Sequence, residues 1–85
     1  MTAERKDLVA ALGHSLKAID GDYKEEMREL RALFEDARKE AEKNEPDSVK
    51  LKALLADAGE MARTFATLDP AWQAVQRVAR LFGVL

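Results

Sequence analysis

Cysteine is absent from this chain, which excludes disulfide staples, thiolate metal sites and thiol chemistry. Histidine occurs once, as His14, so a histidine-based zinc cage cannot be built from one copy. No apolar run approaches the ~18 residues of a membrane span. The stretch from Leu8 to Leu12 is too short for a signal-peptide core, so the expectation is a cytoplasmic protein. Only five residues are aromatic (Tyr23, Phe34, Phe65, Trp72 and Phe82), and many of the apolar residues are alanine. A chain of 85 residues buries about 60% of its unfolded surface. Its core is therefore thin, and self-association would help it.

With two prolines and four glycines, punctuation is sparse and informative. Pro46, in Asn44-Glu45-Pro46-Asp47-Ser48, halts one helix, and Asp47 or Ser48 can cap the next. In Leu68-Asp69-Pro70, Asp69 can accept a bond from an early helical N–H while Pro70 takes the first helical position. Asp20-Gly21-Asp22 reads two ways. Gly21 could end a helix in the left-handed conformation, with Asp22 and Glu25 forming a capping box for the next. Against that, Leu8, Leu12, Leu16, Ile19, Tyr23, Met27, Leu30, Phe34, Ala37 and Ala41 share one arc of about 100°, as in one continuous helix. Leu33 lies at the margin of this stripe, and in a continuous arm it becomes a candidate contact between copies.

Further along, Leu51, Leu54, Leu55, Ala58, Met61, Ala62, Phe65 and Leu68 repeat at three and four residues. The last segment puts Trp72, Val75, Val78, Ala79, Phe82 and Leu85 on one broad face, with Gly83 as its terminator. With no strand alternation, internal repeat or low-complexity tract, the expected class is all-α, in a single domain over 1–85. Short connections imply a small antiparallel bundle of three or four helices, at about 4–19, 22–43, 47–67 and 70–82. If the first two are one helix, the alternative is an elongated hairpin with arms of roughly 60 and 54 Å and a coiled-coil-like seam open to a second copy.

Few residues suggest chemistry. Gly13-His14-Ser15-Leu16-Lys17 starts like a nucleophile elbow but has Lys17 where the second glycine belongs, and it lies within a helical pattern. The Asp20-Gly21-Asp22 carboxylates begin like a calcium loop, but Lys24 and Glu25 occupy the fifth and sixth positions. Glu25, Glu26, Glu29, Glu35, Asp36, Glu40 and Glu42 alternate with Lys24, Arg28, Arg31, Arg38, Lys39 and Lys43, the pattern of a solvated helix face. No phosphate loop or dinucleotide fingerprint occurs. The expectation is a non-enzyme with no catalytic, cofactor-binding or metal residues and no cofactor.

Net charge is −2, distributed as −4 up to Asp47 and +2 from Ser48 onward. The imbalance favours antiparallel packing of the halves or head-to-tail contact between copies, and it is too small to favour nucleic acid. The leading reading is thus a protein–protein interaction or oligomerisation module, an adaptor whose partner is another protein or a second copy. Trp72, Val75, Phe82 and Leu85 would form its contact and Arg77 and Arg80 its polar rim. The runner-up is a peripheral membrane-binding protein using the last helix as an amphipathic anchor. A third is an accessory subunit of a larger enzyme or secretion complex.

Overall fold

The computed structural model describes residues 3–83, with side chains for all of these except Ala3, Glu4 and Phe82. Four α-helices follow one another: α1 (Ala3–Gly21), α2 (Arg28–Glu42), α3 (Ser48–Ala62) and α4 (Asp69–Phe82). Short 3-10 turns at Glu25–Met27 and Ala66–Leu68 lead into α2 and α4. Among the described residues there is no strand.

The chain breaks after Gly21, and its longest dimension is 33 Å, too short for the elongated hairpin. The shared phase of the two stripes survives because both helices bury them in the same core. Leu8, Leu12, Leu16 and Ile19 of α1 meet Leu30, Phe34, Ala37 and Ala41 of α2, together with Met27 just before it. Doubling back lets each stripe cover the other, and a buried leucine or phenylalanine is worth about 1.5–3 kcal/mol. Tyr23 is the exception. It falls in the connection, 45% exposed, rather than in the core where its spacing placed it.

The break is not made by the expected devices. Gly83 is the only described glycine with positive φ, so Gly21 stays helical. Asp22 caps nothing with its side chain; instead its N–H donates to Ile19 O and the Met27 N–H to Lys24 O, with Lys24 extended between the two turns. Arg31 then ties the corner. Its Nε and Nη2 donate to the two Asp20 carboxylate oxygens at 2.8 and 3.3 Å, and Nη1 reaches Glu35 at 3.0 Å.

Cross-helix contacts establish antiparallel packing. Asp20 meets Arg31, Gly13 faces Arg38, and the Arg5 guanidinium donates to Asn44 O, so rising numbers on α1 match falling numbers on α2. Between α2 and α3, Glu40 faces Lys50, and Glu29 and Leu33 share a groove with Met61 and Asp57. Asp47 caps α3 as expected, accepting from Val49 N and Lys50 N at 3.0 and 3.1 Å. α3 ends at Ala62, five residues short of its expected end, because Thr64 Oγ1 takes Met61 O and the chain extends at Phe65. Leu68 still reaches the core, since the following 3-10 turn repeats every three residues. α4 begins at Asp69, whose carboxylate accepts from the Gln73 side chain rather than capping the backbone. Gly83, at φ 89°, terminates it as expected, donating to Ala79 O and Arg80 O.

α4 packs closely along α1, whereas α3 and α4 approach each other at few points. Trp72 fills this wider side. Its indole lies 6.3 Å from the Phe34 ring, tilted by 40°, and passes directly over Gly59. A Cβ at position 59 would sit 2.6 Å from Trp72 Cζ2. Glycine within a helix costs about 1 kcal/mol relative to alanine, and here it creates the space that the indole occupies.

Two stability predictions follow from this packing. Trp72→Ala removes the plug and lowers stability by about 3–5 kcal/mol in urea melts. Gly59→Ala, despite its better helix propensity, loses about 1–3 kcal/mol by overpacking, and adding Trp72→Phe recovers part of that loss. A Gly59→Ala variant more stable than the parent refutes the close contact.

Candidate functional site

Two of the six residues expected to form an interaction surface, Trp72 and Val75, are not available to one. Val75 is fully buried and Trp72 is 8% exposed. Both are taken up by the intramolecular core, because α4 is the fourth wall of the bundle and its apolar face has no other cover. Arg77 and Arg80 are exposed on the opposite face. Phe82 closes α4 with its side chain outside the described set, and Leu85 lies outside the described residues.

The residues read for chemistry also find structural places. Ser15 is buried, and its hydroxyl donates to Ala11 O at 3.2 Å in its own helix, while His14 faces outward. Between α1 and α2 runs a groove of about 470 Å³ lined in part by Lys6, Gly13, His14, Lys17, Arg31 and Arg38. Its arginines are engaged: Arg31 holds Asp20 and Glu35, and Arg38 holds Glu42 at 3.0 Å. Among the described residues, no three carboxylates or histidines converge as a metal site would require, and no helix is long and apolar enough to cross a membrane.

Glu40 departs most from the sequence reading. The pattern put it on a solvated face, yet it is only 2% exposed. Its carboxylate accepts from Asp47 N at 3.0 Å and from Lys43 Nζ at 3.1 Å, with Lys50 Nζ at 3.5 Å. The Asp47 backbone bond, and then the Lys43 bond, hold its pKa below the ordinary 4.5 against the opposing effect of burial. Glu40 is therefore ionised at neutral pH and fastens the α2–α3 corner. The sequence marks this corner with Pro46, but periodicity alone does not show that the return chain covers Glu40.

A second groove, of about 420 Å³, lies between α2 and α3 and is lined by Glu29, Ala32, Leu33, Asp57, Glu60 and Met61. Leu33 and Met61 are half-buried against the core, while Ala32 and the three acids are exposed. Among the described residues, neither Glu29, Asp57 nor Glu60 makes an ion pair. The reason is partly visible in the sequence. Glu29 and Asp57 have no cation three or four residues away on their own helices. Only the packing of α2 on α3 brings them to one apolar floor, and sequence reasoning did not find this site.

Protonating Glu40 dismantles the corner, which fixes the sign of a pH effect. Its folded pKa lies below the unfolded value, so between the two the unfolded chain binds more protons and stability rises with pH. The contribution is complete above the unfolded value near 4.5 and disappears as pH falls through the folded one. Urea melts from pH 7 to 2 therefore lose stability in the acid range. Glu40→Gln is less stable than the parent at pH 7 and has a shallower acid slope; Asp20, lowered by Arg31, retains a slope of the same sign. An unchanged slope refutes the Glu40 contribution.

Compared with known protein families, curated proteins and solved structures, the chain matches none.

Proposed function

We propose that this chain is a non-enzymatic protein–protein interaction module whose working surface is the α2–α3 groove. The observation carrying this reading is an open apolar floor of Ala32, Leu33 and Met61 edged by unpaired Glu29, Asp57 and Glu60. The chemistry selects a partner with the opposite signature: an apolar side chain for the floor and basic side chains for the rim. Such a rim adds orientation and encounter rate, and burial on the floor adds affinity. Against catalysis stands the engagement of the polar groups inside the bundle, with Ser15 bonded to its own helix and Glu40 saturated by donors.

The test is a binding titration followed by backbone NMR, using a short helical peptide with one apolar and one arginine-bearing face. The expected result is perturbation centred on Leu33 and Met61, weakening as salt rises. Asp57→Lys with Glu60→Lys changes only exposed side chains, where stability effects are about ±0.5 kcal/mol, and weakens binding at least about tenfold. An acidic peptide of equal helicity that perturbs the groove equally, or a basic peptide that leaves it unperturbed, overturns the reading.

A further inference from the structure

The groove has a complement on the same molecule. The outer face of α4 presents Gln73, Arg77, Arg80 and Leu81. Leu81 is 72% exposed, one of the few large apolar side chains left in solvent among the described residues. Arg77 and Arg80 are exposed and make no ion pair among the described residues. No acidic residue stands three or four positions from either one. This is the signature that the acidic groove selects: two basic groups beside one apolar side chain.

We propose that the occupant of the α2–α3 groove is the outer face of α4 from a second copy, so that copies join head to tail. The proposal rests on the groove being an interaction surface, and it adds the identity of the occupant. Spacing supports it as well as sign. Arg77 and Arg80 are separated by three residues on α4, as Asp57 and Glu60 are on α3, and such neighbours lie about 5–6 Å apart on a helix surface. One α4 laid along the groove can therefore bring both arginines to both carboxylates while Leu81 covers Leu33 and Met61.

The donor and acceptor surfaces differ, so the contact is heterologous. A joined pair still offers one free groove, on one copy, and one free α4, on the other, and assembly continues unless a ring closes. Two shallow surfaces of this size fall short of the ~800 Å² per partner of a standard stable interface. The association is accordingly weak, concentration-dependent and reduced by salt.

Sedimentation velocity on the full chain over a concentration series, at low and at high salt, tests this. The parent chain should form species larger than a monomer as concentration rises at low salt, and salt should reverse the effect. Arg77→Glu with Arg80→Glu, and separately Asp57→Lys with Glu60→Lys, should each weaken self-association at least about tenfold with circular dichroism melts close to the parent. Mixing the two variants should restore association, because each variant's intact surface meets the other's. A parent chain monomeric at all concentrations overturns the proposal, as does association that survives in both variants or a mixture that stays monomeric. If the parent is monomeric but its groove still takes the basic peptide, the second-copy occupant alone is refuted; if the peptide also fails, the groove reading falls too. A monomeric parent whose α4 arginines drive pelleting with anionic vesicles would assign that face to a membrane and likewise overturn the proposal.

Discussion

Trp72 enters the interior over a stretch of α3 where Gly59 offers no side chain to oppose it. The indole reaches Phe34 on α2, so one residue of α4 bridges two helices that α4 otherwise meets sparingly. In a core built largely from alanine and leucine, Trp72 is the largest side chain. The position of α4 depends on this plug, and with it the face that α4 leaves to solvent. Turning Trp72 and Val75 inward is what turns Arg77, Arg80 and Leu81 outward, since these sets lie on opposite sides of one helix.

Charge is used in two ways. At the corners it is consumed internally: Arg31 joins the end of α1 to α2, and Glu40 holds the turn into α3. These contacts position helices whose apolar packing provides most of the stability. Elsewhere charge is left unused, in the acids beside the α2–α3 groove and the arginines of α4. A surface ion pair is worth about 0–1 kcal/mol, so leaving these groups unpaired costs the fold little. It leaves two complementary surfaces on one small molecule.

The difference between legible and illegible features has a consistent cause. Asp47, Pro70 and Gly83 were readable because capping, first-turn and left-handed positions impose residue types through local backbone geometry. The end of α3 was not, because Phe65 and Leu68 keep apolar spacing through a turn that is no longer α-helical. Tyr23 was misplaced for a related reason, its phase matching a helix that had already ended. Glu40 lies on a charged stretch, and nothing local distinguishes it from Glu42, which faces solvent; only the return of the chain at Asp47 separates the two.

By itself, then, the sequence determined the all-α class, four helical segments and most of the buried stripe, since three- and four-residue periodicity is a property of each helix alone. Tertiary structure decided which stripes meet, and through that which apolar residues are consumed and which charges are left over. The expected surface of Trp72 and Val75 lies in the core because a broad apolar face looks the same in one dimension whether it meets its own chain or another. The α2–α3 groove went unseen for the converse reason: its lining comes from two helices, in segments about 30 residues apart, and periodicity, which is a property of each helix alone, cannot join them until the chain folds back.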